Sequence, residues 1–163
     1  SRIDPLTQLY NRRAFNEAAA LIWHNVERYQ KNLSIMVLDI DHFKVINDQY
    51  GHGTGDQALK SIANTLREMV RDGDILARWG GEEFTILLPE TDLIQARTLA
   101  ERLRETIAKL HILADGTEIS FTVSIGVAQK ETEMSSIENL FNQADIFMYQ
   151  AKQAGRNQVY GIY

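Results

Sequence analysis

Arg78-Trp79-Gly80-Gly81-Glu82-Glu83-Phe84 sets two glycines directly before two carboxylates and an aromatic ring. The apolar run Ile75-Leu76-Ala77 precedes it, and Thr85-Ile86-Leu87-Leu88 follows. Two strand-like runs around Gly-Gly predict a β-hairpin with a tight turn. Glycine at both turn positions permits positive φ and removes the Cβ atoms, so a ligand can lie against the backbone. The acid pair then either holds a metal ion or forms a solvated acidic tip. The motif by itself leaves both open.

Upstream, Leu33–Ile40 (LSIMVLDI) is a compact apolar run suited to a buried strand. Asp39 and Asp41 stand at its far end, and their spacing of two puts both side chains on one face, with Ile40 on the other. His42 to Tyr50 reads as a short helix, and Gly51-His52-Gly53-Thr54-Gly55-Asp56 as a glycine-rich connection. Leu59, Ile62, Ala63, Leu66, Met69 and Val70 form a helical stripe that ends at Arg71-Asp72-Gly73-Asp74. Nearer the start, Asp4-Pro5-Leu6-Thr7 predicts a turn. Asn11 caps a helix with Phe15, Ala18, Ile22, Val26 and Tyr29 on one face. Downstream, Asp92 caps a helix whose inward residues include Ala96, Ala100, Leu103 and Ile107. Asp115-Gly116 marks a turn, and Ile119 to Ala128 reads as one strand. Ser135 and Glu138 form a capping-box pattern before a helix carrying Leu140, Ala144, Phe147 and Ala151, and Gln158 to Tyr160 reads as an edge strand.

The βαββαβ order predicts an α+β fold with a ferredoxin-like core: an antiparallel central sheet with helices on one face. Leu33–Ile40 and Thr85–Leu88 are expected at its centre, which brings Asp39, Asp41, Glu82 and Glu83 together.

With 163 residues the chain fits one domain with a substantial core, and 44% hydrophobic with 24% charged residues is ordinary for a globular protein. The absence of cysteine excludes disulfides, thiolate zinc sites and cysteine nucleophiles. No apolar run approaches the ~20 residues of a membrane helix, and no signal peptide is visible. The expectation is a cytoplasmic domain without membrane contact, and the opening at Ser1 fits a piece of a longer protein. A net charge of −5 argues against DNA, which needs a basic face.

Four close carboxylates repel one another unless a cation sits among them. All-oxygen donors suit Mg²⁺ or Mn²⁺, and Mg²⁺ favours one or two carboxylates plus substrate phosphates, which points to a nucleoside triphosphate. Two such ions activate a hydroxyl and stabilise charge on a phosphate. In the simpler reading, Asp39 and Asp41 only end a strand and cap the next helix.

The chain resembles the GGDEF family of diguanylate cyclases. The blocks are Gly80-Gly81-Glu82-Glu83-Phe84, a GGEEF variant; Asp39-Ile40-Asp41-His42-Phe43-Lys44 with Asn47-Asp48, Gly51-His52 and Gly55-Asp56; Asp4-Pro5-Leu6-Thr7 with Leu9 and Asn11-Arg12; and Tyr149-Gln150-Ala151-Lys152 with Gly155-Arg156-Asn157. They run in the family's order from Asp4 to Asn157. Gln8, where the family often has glycine, is the one departure and touches only the entry turn.

The resemblance implies a sheet of the nucleotide-cyclase and polymerase-palm type. It implies a single domain over 1–163 as the C-terminal part of a regulatory protein, whose N-terminal sensory or receiver domain is missing from this chain. It implies condensation of two GTP into cyclic di-GMP and two pyrophosphates by a homodimer, each 3′-hydroxyl attacking the partner's α-phosphate with two Mg²⁺ or Mn²⁺ per GTP. Asp39, the Ile40 carbonyl and Glu82 resemble metal ligands, and Glu83 resembles a further metal contact or the group that deprotonates the hydroxyl. Asp41 supports the site without ligating. Asn47 and Asp56 resemble the guanine readers, Asp accepting from N1–H and the N2 amine. His42 and Phe43 offer backbone amides and Lys44 a charge to the phosphates. His52 touches substrate or stabilises a turn. Lys152 and Arg156, four apart at a helix end, resemble phosphate cations, a placement that also suits the helix dipole. Arg71 and Asp74 match an RxxD inhibitory site for cyclic di-GMP, with Arg102 as a second arginine, or else form a local ion pair at a helix end. Arg78 braces the acid cluster or binds product. The alternative is a catalytically silent module that senses GTP or cyclic di-GMP.

Overall fold

The computed structural model describes residues 1–161. Its elements are α1 (Arg12–Tyr29), β1 (Leu33–Ile40), α2 (Phe43–Tyr50), α3 (His52–Met69), β2 (Ile75–Arg78), β3 (Glu83–Pro89), α4 (Leu93–Ala108), β4 (Ile112–Ala114), β5 (Thr117–Ile119), β6 (Val123–Gln129), α5 (Ile137–Gln153) and β7 (Val159–Tyr160). The central sheet has the order β2-β3-β1-β6-β7. β1 lies antiparallel between β3 and β6, β2 is antiparallel to β3, and only β7 runs parallel to its neighbour. The β6-β1-β3-β2 order is that of the expected ferredoxin-like core, and β1 and β3 sit centrally as their apolar runs predict.

Helices cover both faces of the sheet, not one. Met36, Leu38, Ile40, Phe84, Ile86 and Ile125 pack with α3 and α4 through Leu59, Ile62, Leu66, Ala100 and Leu103. Leu33, Ile35, Val37 and Leu87 pack on the opposite face with α1 and α5 through Phe15, Ala19, Val26, Leu140, Ala144 and Phe147. An uninterrupted apolar strand is what two covered faces require. On α1, Ala19 is buried and Tyr29 is exposed, so the stripe is set nearer Ala14 and Ala19 than the expected Ala18 and Tyr29.

Three other elements depart from expectation. Gly51 to Asp56 is no loop: α3 begins at His52, and only Gly51, at φ 91°, separates it from α2. The strand expected over 119–128 divides into β5 and β6, and β4 and β5 form a separate hairpin across Asp115 and Gly116, both at positive φ. The last helix is capped one residue later than expected, Ser136 accepting from the Asn139 amide. At Gly126 of β6, an added Cβ would run into the Ala144 carbonyl and the Met148 backbone, so α5 packs directly on the strand. That contact carries α5 to the site.

Candidate active site

β1 and β3 are in register so that Asp39 faces Glu83 across the ladder, and the Ile40 amide donates to the Glu82 carbonyl (3.3 Å). Strand pairing alone therefore brings the end of β1 to the glycine loop. The loop is wider than a two-residue turn. The Trp79 and Gly80 amides both donate to the Glu83 carbonyl, at 2.7 and 3.3 Å. Neither Gly80 nor Gly81 has positive φ, contrary to expectation, and nothing lies within 4 Å of a Cβ added at either. Their Cβ-free side opens on empty space, as the missing side chains predict.

Arg78 braces this loop. Its guanidinium donates to the Gly81 carbonyl (2.8 Å) and pairs with Asp4 (3.2 Å), which also accepts from the Thr7 amide and hydroxyl. Burial works against the Asp4 charge, but Thr7 and Arg78 hold its carboxyl below the ordinary value. Arg78 is therefore tied to the N-terminal turn and is not brought to Arg71 and Asp74.

Asp41 is buried and bonded on every side. It accepts from the Ser124 hydroxyl (2.6 Å), the Thr122 hydroxyl (2.7 Å) and the Asn157 amide (2.9 Å). Gly155, Arg156 and Asn157 all have positive φ, and this left-handed turn folds Asn157 back onto Asp41. The same turn ends α5 at Gln153, so Arg156 is exposed in the turn and does not share a helix face with Lys152. Lys152 points into the acid cluster. Its ammonium lies 2.9 Å from Asp39 Oδ1, and 3.4 Å from both the Ile40 carbonyl and Asp41 Oδ1.

One ammonium does not balance the cluster. Burial first, then the charges of Asp145, Asp39 and Glu82, push the Glu83 carboxyl up to about 7, with Arg12 opposing. Glu82 is raised by burial and by Asp39. Asp39 is raised by burial, with Asp41 and Asp145 adding, despite Lys152. Asp145 on α5 and Arg12 on α1 are members of this constellation that the sequence reading missed or weighed lightly. Each is a single charge on an amphipathic helix and has no local signature. Arg12 stacks on Trp79, whose ring lies between Phe15 and Phe141.

The donor set fits a hard divalent ion. Asp39 and the Ile40 carbonyl already hold a cation through oxygen, with Glu82 and Glu83 adjacent. Among the described residues, no three acidic or histidine side chains converge closely enough to close a metal site. An incomplete oxygen shell leaves positions for substrate phosphates, as Mg²⁺ prefers.

Beyond the carboxylates, α2 starts at Phe43 with no side-chain cap, leaving its first amides available to an anion. Lys44 on that turn is exposed and pairs with Asp48 (2.8 Å). Asn47 Oδ1 is buried without a hydrogen-bond partner, and Gly55 lies against it: a Cβ there would collide with that oxygen. Asp56 and His52 are exposed on the same α2–α3 junction.

The family model for "Diguanylate cyclase, GGDEF domain" matches residues 1–158. The chain belongs to the GGDEF-domain family. This GGDEF domain is 45% identical over 156 residues to the diguanylate cyclase DgcP of Pseudomonas aeruginosa, covering 96% of this chain and 23% of that protein. It superposes with TM-score 0.93 and 31% identity on the GGDEF domain of DgcB from Caulobacter crescentus in complex with c-di-GMP, covering 98% and 92% of the two chains. The active GGEEF domain of a diguanylate cyclase from Vibrio cholerae matches with TM-score 0.87 and 32% identity over 96% of this chain and all of that one. The chain spans less than half the length of the curated relatives it matches.

On the far side of the GGDEF domain's sheet edge, Arg71, Asp74, Thr91, Gln95, Leu99 and Arg102 line a pocket of about 220 Å³. The Arg71 guanidinium donates to Thr91 Oγ1 (2.7 Å) and the Pro89 carbonyl (3.0 Å). Asp74 accepts the Arg71 amide through Oδ2 (2.9 Å), while its buried Oδ1 has no hydrogen-bond partner. Burial raises the Asp74 carboxyl against the pull of Arg71. Of the three buried side-chain atoms without a hydrogen-bond partner among the described residues, one is in this pocket, 3.9 Å from the Arg71 guanidinium, and one is on Asn47. The third, Thr85 Oγ1, lies mid-sheet, and nothing in the structure explains it.

Proposed function

We propose that this GGDEF domain is an active diguanylate cyclase, condensing two GTP into cyclic di-GMP and two pyrophosphates as a homodimer. The observation that carries this is that Asp39 and the Ile40 carbonyl hold the Lys152 ammonium at the end of β1, where strand pairing sets Glu82 and Glu83 alongside, beside a Cβ-free loop. On each side a bond forms between O3′ of one GTP and the α-phosphorus of the other, and the bond to pyrophosphate breaks. Asp39, Ile40 and Glu82, with Glu83 adjacent, are the groups that would hold two Mg²⁺ or Mn²⁺ per GTP. Those ions supply activation of the hydroxyl and neutralisation of charge on the phosphates. Glu83, which faces Asp39 across the β1–β3 ladder, is placed to hold or pass the O3′ proton. The amides of His42 and Phe43 and the charges of Lys44, Lys152 and Arg156 serve the phosphates, Lys44 while shared with Asp48. Asn47 and Asp56, with His52 nearby, read guanine. The unpaired Asn47 oxygen supports this, since a buried orphan acceptor favours a ligand that supplies a donor.

Gly55 holds that reader by staying small. Gly55→Ala is expected to raise KM for GTP by about tenfold, with kcat changed much less, because a displaced Asn47 loses one hydrogen bond of about 1.5 kcal/mol. Steady-state kinetics check it. A KM unchanged from wild type separates Asn47 from base recognition.

The Arg71 and Asp74 pocket, with Arg102, is the inhibitory cyclic di-GMP site in this reading. Support comes from the orphan Asp74 oxygen and from the DgcB domain being a complex with c-di-GMP. Arg71→Ala is expected to relieve product inhibition at least about tenfold, the loss of a charged hydrogen-bonding pair. Progress curves with added product test it, and unchanged inhibition returns the motif to a local ion pair. The longer lengths of the relatives support a regulatory domain elsewhere in the full protein, and no described helix is long and apolar enough to cross a membrane. A cytoplasmic domain accords with GTP as substrate. Incubation with GTP and Mg²⁺, with product identified by mass, tests the reading, and an active domain yields cyclic di-GMP.

A further inference from the structure

The Lys152 ammonium occupies two of the oxygens that the proposed function assigns to a metal. It lies 2.9 Å from Asp39 Oδ1 and 3.4 Å from the Ile40 carbonyl, with Asp41 Oδ1 also at 3.4 Å. Three oxygens meet the three N–H donors of a compact point charge. A divalent ion on Asp39 and the Ile40 carbonyl cannot share them with an ammonium, because two cations at that spacing repel strongly in a part-buried site.

The surroundings are built so that one cation can be exchanged for another. Asp41 keeps three donors, Thr122, Ser124 and the Asn157 amide, when Lys152 leaves. Asp39 has no donor besides Lys152 among the described residues, so it needs a replacement cation. Lys152 is in the last turn of α5, and its side chain is 18% exposed, so its flexible stem has an outward path.

We propose that Lys152 is the resident cation of the metal site, and that divalent metal and nucleoside triphosphate load as a coupled pair. The ammonium moves from Asp39 and Ile40 to the phosphates as the metal is bound. Lys152 is then a positioning residue that keeps the acid cluster folded when empty and ties metal entry to substrate arrival. This rests on the cyclase reading of the site.

Mn²⁺ binding to the nucleotide-free chain, followed by electron paramagnetic resonance of the free ion, tests it. Lys152→Met is expected to bind Mn²⁺ about tenfold more tightly than wild type, since a like charge leaves the site, while Lys152→Arg stays weak. A non-hydrolysable GTP analogue is expected to raise Mn²⁺ affinity strongly in wild type and much less in Lys152→Met, because coupling between two ligands is reciprocal and runs through this side chain. Wild type alone gives a second readout. Saturating Mn²⁺ is expected to increase acetylation of Lys152 several-fold by peptide mass spectrometry, and added analogue to reverse it. Equal or weaker Mn²⁺ binding by Lys152→Met, or labelling that Mn²⁺ does not change, overturns the exchange. If wild type still makes cyclic di-GMP, only the exchange falls; if it makes none, the cyclase reading falls with it.

Discussion

Glu83→Gln is expected to lower cyclic di-GMP formation by about 10²–10⁴-fold, the range for losing a positioned proton acceptor, and to leave the domain folded. Two features of the site lead there. Glu83 faces Asp39 across the β1–β3 ladder, so the two carboxylates share one face at the strand ends. In the metal-free domain its carboxyl is raised to about 7 by burial and by Asp145, Asp39 and Glu82, so it is part of the charge that a divalent ion would neutralise. The same shift fixes the sign of a stability effect. The folded state binds the Glu83 proton more tightly than the unfolded chain. Its contribution is therefore full below the ordinary glutamate range and is lost as pH rises from about 4.5 to about 7. Discounted for partial exposure, the loss is about 1–2 kcal/mol. Without metal, Glu83→Gln should gain that much on wild type between pH 4.5 and pH 8 in urea unfolding. Asp39, Glu82 and Asp145 shift the same way, so the variant flattens the pH dependence and does not abolish it. Wild-type turnover by the variant removes Glu83 from the mechanism.

Gly126→Ala is expected to destabilise the domain by about 3 kcal/mol, at the upper end of overpacking effects. The added methyl meets backbone on two sides, the Ala144 carbonyl and the Met148 amide, with Met148 Cα at 2.9 Å. Neither can rotate away, so α5 must lift from β6. Since α5 carries Lys152 and Asp145, turnover should fall with stability. Gly80→Ala is the control: nothing lies within 4 Å of its Cβ. It should unfold within about 0.5 kcal/mol of wild type, as open surface changes do, while turnover falls if a nucleotide approaches that face. A wild-type midpoint for Gly126→Ala in urea contradicts the direct contact of α5 with β6.

The sequence carried the sheet further than it carried the site. The run Leu33–Ile40 is apolar on both faces, so its central position was legible. Its continuity also argued for helices on both sides, against the one-faced reading. Gly51–Asp56 misled because glycine disfavours helices. Here Gly55 is inside α3 because only a missing side chain leaves room for Asn47. The β4–β5 hairpin was legible only at its turn, since three-residue strands hold too little pattern. Asp39, Glu82 and Glu83 were legible because strand ends and a glycine pair mark them locally. Asp145 and Arg12 enter through tertiary packing of α5 and α1, which no window of sequence contains. The role of Gly80 and Gly81 was half legible: the missing Cβ atoms count, the positive φ does not.

In the proposed reaction one domain holds half of the site, with its Glu82-Glu83 turn completed by the same turn on a second copy. The most direct measurement is the rate of cyclic di-GMP formation from GTP and Mg²⁺ per mole of chain, across a wide range of protein concentration. The prediction is product identified by mass, at a rate per chain that rises with concentration and levels off as the chain dimerises by light scattering. No cyclic di-GMP at any concentration, dimers included, contradicts the account, as does a rate per chain that stays constant while the chain is monomeric.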